Sequence, residues 1–248
     1  MIPLSAVIIT FNNAPKIGRC IEALQKITDD IVVVDSFSTD NTAQICKEKG
    51  VRFYQKKWIG YSDQKNFGNE KALNDWIISI DDDEFVSEEM AIAILDKFKQ
   101  TPDFEAINLP FRTVFCGKFI RFGSMNPESH VRIFNKKIIH WNTEDVHEQL
   151  TLSPTHRIAQ AKGYVFHHTV DTPAQFAQKT ERYAQLFAEK ANRVGKKANF
   201  IKIYFSPIIR FLKEYIFKLG ILDGYYGWFI AKENARYTFL KYQKLKDL

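Results

Sequence analysis

Three short apolar runs punctuate the first eighty residues, each followed by polar or acidic chain: Ala6-Val7-Ile8-Ile9, Ile31-Val32-Val33-Val34 and Trp76-Ile77-Ile78-Ser79-Ile80. Their length and β-branched content predict strands buried on both faces rather than helices. Between them apolar residues recur at helical spacing. Ile17, Ile21 and Leu24 follow Asn12-Asn13 and Pro15, a cap and helix opening. Ser38-Thr39-Asp40 caps a second helix running through Lys49, with Gly50 as its stop. Ser62 opens a third, expected to carry Phe67 and Leu73 inward, and Ser87-Glu88-Glu89 opens a fourth that ends before Pro102. Strand and helix alternating in this way predict a mainly parallel sheet with right-handed crossovers.

Beyond residue 105 the pattern changes. Short runs at 105–109, 131–134 and 163–167 read as strands, with irregular chain around Gly117 and Gly123. The expected fold is an α/β core extended by mixed or antiparallel strands. Thr172-Pro173 is a cap and first-turn pair, and Tyr183, Phe187 and Ala191 are expected on one side of the helix it opens. From Lys196 the chain turns basic and aromatic until Gly220, and a last helix starts near Tyr225. This divides the chain into a catalytic α/β domain over 1–194 and a helical basic-aromatic extension over 195–248. The broad apolar face of the extension packs on the core, rests on an anionic membrane or forms a homo-oligomer.

Composition narrows the field only a little. At 248 residues, 45% hydrophobic and 14% aromatic, the chain supports a real core and is not a disordered segment. A formal charge of +6 predicts attraction to something anionic. Cys20, Cys46 and Cys116 are too far apart for a zinc cluster, and their odd number suggests no disulfide framework. The first residues do not read as a signal peptide and no stretch reaches the ~18 apolar residues of a spanning helix, so a soluble or peripheral protein is expected. No recognisable nucleic-acid-binding module accompanies the charge, and nucleic acid is not an expected partner.

Candidate chemistry gathers at the strand ends, where ligands of α/β sheets bind. The run Asp81-Asp82-Asp83-Glu84 closes the third strand. If it continues as extended chain, Asp81 and Asp83 share a side and Asp82 points away. Such a pair suits Mg²⁺ or Mn²⁺ on a phosphate, and an acidic turn is the plainer reading. Asp35 ends the second strand and either binds a ribose or base edge or caps its own turn. Thr10 ends the first strand. Lys65, in Gln64-Lys65-Asn66, suits a phosphate as a mobile point charge. In Glu144-Asp145-Val146-His147-Glu148 both Asp145 and Glu148 are candidate bases, and spacing does not choose between them. His167 and His168 point to opposite faces of a strand, so one of the two can complete a metal set. No Gly-x-Gly-x-x-Gly, Walker loop or nucleophile elbow is present.

Taken together, these stretches resemble bacterial family 2 glycosyltransferases of the GT-A fold, especially the lipopolysaccharide-core β-glycosyltransferase group. The likeness lies in Ser5 to Asn12, Ile31 to Asp40, Gln64-Lys65-Asn66, Ser79 to Glu84, Val131-Arg132-Ile133-Phe134, Val146-His147-Glu148 and Leu222-Asp223-Gly224. The resemblance implies a metal held by Asp81, Asp83 and His167, with donor or acceptor contacts from Thr10, Asn12, Asp35, Lys65, Asp81 and Arg132. It favours Glu148 over Asp145 as base. The implied reaction is inverting transfer of a hexose from a UDP-sugar to a hydroxyl of a lipopolysaccharide-core or other envelope glycan or glycolipid, on the inner face of the bacterial inner membrane. Nucleotidyl transfer and non-catalytic nucleotide-sugar binding are the alternatives. Two departures stand out. Ser124-Met125-Asn126-Pro127-Glu128 replaces Gly-Trp-Tyr-Pro-Asp, and an aromatic residue is missing after His167-His168-Thr169.

Overall fold

A computed structural model describes residues 3–125, 128–142 and 148–248. It contains β1 (Leu4–Thr10), α1 (Ala14–Gln25), β2 (Asp30–Asp35), α2 (Thr42–Glu48), β3 (Arg52–Gln55), α3 (Tyr61–Lys71) and β4 (Trp76–Asp81). There follow β5 (Glu84–Val86), α4 (Glu88–Lys97), β6 (Ala106–Phe115), β7 (Lys118–Phe119), β8 (Glu128–Asn135), β9 (Ile158–Gln160) and β10 (Val165–Val170). The chain ends in α5 (Pro173–Arg193), α6 (Phe200–Leu212), a π turn over Lys213–Phe217, a 3-10 turn over Gly220–Asp223, and α7 (Gly224–Asp247). Two compact units are formed. The first takes residues 1–111 and 129–167, and the second takes 112–128 and 168–248, so the helices after residue 195 share a unit with α5.

In the first unit β1 is the organising strand. It is buried along its whole length and pairs in parallel with β2 on one side and β4 on the other. The strand order is β3-β2-β1-β4-β8-β6-β10-β5, with β4–β8 and β10–β5 antiparallel. The expected mainly parallel sheet with mixed strands is what the chain builds. Side chains of β1 alternate between two apolar layers. Leu4, Ala6 and Ile8 join Ile17, Ile21 and Leu24 of α1 and Met90 and Ile94 of α4. Val7 and Ile9 join Val32, Val34, Phe134 and Trp141 on the opposite face.

On this second face α3 approaches β1 closely, because Gly68 presents no side chain. A Cβ there would lie 2.3 Å from Val7 Cγ1 and 3.1 Å from Val34 Cγ2. The C-terminal carbonyls of α3 are closed by Lys136, whose Nζ donates to Asn69 O at 3.1 Å and Ala72 O at 2.7 Å. Leu73 lies beyond the end of this helix and is 75% exposed, not inward as its spacing suggested. Its N–H donates to Asp30 Oδ2 at 2.9 Å, which turns the chain outward before β4.

Two further expectations change. Asn13 occupies the N-cap position of α1 without capping it. Asp40 from the next loop instead accepts the Ala14 N–H at 3.0 Å and the Thr42 N–H at 3.0 Å, so one carboxylate serves two helix starts. In α5 the buried stripe is Ala184, Ala188 and Ala191, and Tyr183 faces solvent. The Thr172 cap is as expected: its Oγ1 accepts the Gln175 N–H, and the Gln175 side chain accepts the Thr172 N–H in return.

In the second unit Phe115, Ile120, Val170 and Ile230 form a small core. Gly227 of α7 passes so close to Gly220 that a Cβ would lie 1.8 Å from the Gly220 carbonyl oxygen.

The Gly68 contact gives a first test. Gly68→Val adds a branched side chain where α3 meets β1 and should destabilise the protein by about 2 kcal/mol or more in urea unfolding. Gly50→Ala, at φ +69° but with open space around it, should cost only about 1 kcal/mol.

Candidate active site

The parallel register sets the site. Thr10 pairs with Asp35 across β1 and β2, and Ile9 pairs with Asp81 across β1 and β4. The carboxyl ends of three adjacent strands therefore carry a hydroxyl and two acids at nearly one level.

The segment Gln64-Lys65-Asn66 of α3 supplies three different devices. Gln64 Nε2 donates to Lys56 O and Lys57 O at 3.0 and 3.2 Å, holding the loop before α3. Asn66 forms a reciprocal pair with Trp141: its Nδ2 donates to Trp141 O at 2.9 Å, and its Oδ1 accepts the Trp141 N–H at 3.1 Å. Lys65 lies between them and is completely buried. Its Nζ is 3.0 Å from Asp81 Oδ1, 3.0 Å from Glu148 Oε1 and 4.7 Å from the centre of the Trp141 ring. This is not the mobile, solvent-facing cation that its sequence position suggested. A buried ammonium is stable because two carboxylates and an aromatic face compensate it.

Asp81 bridges two cations. Its second oxygen is 3.3 Å from an Arg132 guanidinium nitrogen, which also donates to Glu84 Oε1 at 2.7 Å. Arg132 packs over the Phe111 ring, 5.5 Å from its centre. Glu84 is buried, and its other oxygen accepts the Asp81 N–H at 3.0 Å. Burial opposes the charged form of Asp81, but Lys65 and Arg132 outweigh it and hold the acid well below the usual carboxylate range. For Glu84 burial wins and pushes the pKa up, against the pull of Arg132 and with Asp81 adding to the rise.

Past Asp81 the chain turns at 82–83 before β5, so strict strand alternation does not extend through the acidic run. Asp82 does not point away. It accepts the Thr10 hydroxyl at 2.5 Å, and burial raises its pKa to about 6 despite that bond and one from Asn13. Asp83 faces His167 instead, with Oδ1 and Nε2 3.6 Å apart. The antiparallel pairing of β10 with β5 sets His167 opposite Glu84 and brings it there. Burial works against protonation of His167, but Asp83 reverses the balance and raises its pKa.

Asp35 is fully buried and holds its own turn. It accepts the N–H and hydroxyl of Ser38 and the Gln55 amide. Asn12, at φ +51°, ties the first loop to the second: its Oδ1 accepts the Thr39 N–H at 2.8 Å and its N–H donates to Ser38 Oγ at 2.8 Å. Phe37 adopts a left-handed φ of +63° in the same interlock. Asp145 lies outside the described residues, whereas Glu148 is within them. Glu148 Oε2 is buried and has no hydrogen-bond partner among the described residues. Sequence reasoning gave Glu84 no role of its own within the acidic run and missed Trp141 as part of the site. A carboxylate just past a turn and a tryptophan far along the chain carry no local signal for a shared lysine or arginine.

Among the described residues no three acidic, histidine or cysteine side chains converge as a metal-binding set. The pair Asp83 and His167 nonetheless fits a divalent ion. Two ligands at about 2.1 Å from one metal stand about 3 to 4 Å apart. The Asp81 oxygens lie 3.0 Å from Lys65 Nζ and 3.3 Å from an Arg132 nitrogen, and Oδ1, though buried, makes no hydrogen bond among the described residues.

An α/β sheet of this order, with acids at its strand ends, is the GT-A glycosyltransferase architecture. The chain belongs to glycosyl transferase family 2, whose model matches residues 5–166. It is 29% identical to an uncharacterized glycosyltransferase, RP128, of Rickettsia prowazekii strain Madrid E, over 99% of this chain and 87% of that one. It is 28% identical to the lipopolysaccharide core biosynthesis glycosyltransferase LpsC of Rhizobium meliloti strain 1021, over 98% of this chain and 92% of that one. Among solved structures, the mannosyltransferase PcManGT of Pyrobaculum calidifontis, in complex with GDP-Man and Mn²⁺, superposes with a TM-score of 0.56 at 15% identity. That match covers 98% of this chain and 87% of the other.

Lys65→Met leaves Asp81 and Glu148 without their shared cation and should destabilise the protein by about 3–5 kcal/mol in chemical unfolding. Adding Glu148→Gln to that variant should recover part of the loss, a coupling that a double-mutant cycle reads directly.

Proposed function

We propose that this glycosyltransferase moves a hexose from a UDP-sugar to a hydroxyl of a lipopolysaccharide-core or other envelope glycan, with inversion at the anomeric carbon. The observation that carries this reading is Glu148. One oxygen is fixed on Lys65, while the other is free of hydrogen bonds among the described residues, beside the acidic strand end of β4. A base for this reaction needs that combination of a pinned orientation and a vacant lone pair.

In the proposed step Glu148 Oε2 takes the acceptor hydroxyl proton as that oxygen bonds to the anomeric carbon. The bond from that carbon to the diphosphate oxygen breaks on the opposite face, its electron pair leaving with the UDP. Lys65 donates to Oε1 and so sets the orientation of the Glu148 carboxylate. Arg132 and Lys65 hold Asp81 ionised at the level where sugar and ribose hydroxyls would lie, and such an acid accepts hydrogen bonds from them. The Asn12–Ser38–Thr39 interlock and buried Asp35 would shape the nucleoside end by fixing two loops rather than by reaching the base directly. Asp83 and His167 would hold Mn²⁺ or Mg²⁺, which when bound supplies positive charge to the diphosphate leaving group. The neighbour bound to GDP-Man and Mn²⁺ supports a metal-assisted nucleotide-sugar donor, and the LpsC relative supports the acceptor class. Membership of a glycosyltransferase family favours sugar transfer over nucleotidyl transfer.

Glu148→Gln should lower kcat by about 10²–10⁴-fold while leaving the donor Kd within about threefold, checked by product assay and calorimetry. An unchanged turnover would remove Glu148 from the role. Asp83→Asn should abolish the Mn²⁺-dependent part of the thermal shift given by UDP-sugars. A larger shift with GDP-sugars would reassign the nucleotide.

A further inference from the structure

Helix α6 is inside out for a helix facing water. On its inner side Ile203 is buried together with the carboxylate of Glu214, in the π turn that continues it. Glu214 is matched by Arg210 at 2.8 Å and by the Ser124 N–H at 2.7 Å. The outer side instead presents Phe200, Phe205, Ile209 and Phe217, exposed by 65, 52, 64 and 79%. Leu222 and Trp228, further along the chain, are exposed by 62 and 38%. A carboxylate turned inward and phenylalanines turned outward reverse the usual order of a water-facing surface.

The charge along this segment is mostly positive. From Arg193 to Trp228 the chain contains Arg193, Lys196, Lys197, Lys202, Arg210, Lys213 and Lys218, and its acids are the buried Glu214 and Asp223, which accepts the Arg121 and Phe122 N–H groups. Lys202, Lys213 and Lys218 are exposed. Lys232 lies over the Trp228 ring, 5.1 Å from its centre, pairing an interfacial aromatic with a cation. Among the described residues no helix is long and apolar enough to cross a membrane.

We propose that this face docks in the plane of a phospholipid bilayer containing anionic lipid, its phenylalanines entering the acyl boundary and its lysines meeting the headgroups. A second copy fits less well. A two-fold interface would set this patch against itself, lysine facing lysine, with no exposed acid in the segment to answer them. The inference stands on the surface of the second unit alone and is independent of the proposed donor and base.

The test is co-sedimentation of the full chain with vesicles of phosphatidylethanolamine and phosphatidylglycerol, and with phosphatidylcholine vesicles for comparison. Binding should occur to the anionic vesicles, weaken with salt and shift tryptophan emission to the blue. The double variant Phe205→Ser, Phe217→Ser and the triple variant Lys202→Glu, Lys213→Glu, Lys218→Glu should each weaken partitioning by about tenfold or more. Both change exposed positions, and an unchanged circular dichroism spectrum and melting temperature establish that they fold. Equal binding to uncharged vesicles, survival of binding in either variant, or absence of binding overturns the proposal. A stable dimer that the serine pair disrupts, with no vesicle binding by the wild-type chain, assigns the face to self-association instead.

Discussion

The ammonium group of Lys65 is the contact around which the site is assembled. It lies fully inside the protein and holds Asp81, from the end of β4, and Glu148, from a segment more than sixty residues later. Neither carboxylate could occupy that position cheaply without a cation, and the cation could not be buried without them. The indole of Trp141 closes the remaining side, and Asn66 fixes that residue through its backbone. One turn of α3 therefore determines where two distant acids sit. Gly68, three residues along the same helix, lets that turn lie directly on β1.

A second cation, Arg132, repeats the logic on the other oxygen of Asp81 and carries Glu84 with it. The cluster alternates in sign, so several charges share one buried volume without a large excess of either. Asp83 and His167 add a further pair, and His167 also acts on Asp81 and Glu84. The acids of a single four-residue run thus meet different partners.

Much of this architecture was readable in the chain. Runs such as Ile31 to Val34 admit only a strand buried on both faces, and Thr172-Pro173 admits little besides a helix start. The acidic strand end, Lys65 and Glu148 were visible as chemistry, and His167 was visible as one of an adjacent pair. What remained hidden depended on long-range pairing. Asp40 caps a helix in another loop, and Trp141 lies beneath a lysine seventy-six positions earlier. Asp82 was misread because alternation was carried through a turn. Leu73 was misread because helical spacing was continued past the last hydrogen-bonded carbonyls. In each case the local pattern was sound, but the element ended sooner than the pattern did.

The central place of β1 has a consequence for how such a chain can diversify. This strand is read on both edges at once, with Thr10 matched to Asp35 on one side and Ile9 to Asp81 on the other. Inserting or deleting one residue within it would swap its two faces and shift both neighbours' acids out of level. The connecting loops are therefore where a change of length would leave the level of these acids intact, while the seven residues of β1 could not change in number without disturbing both edges.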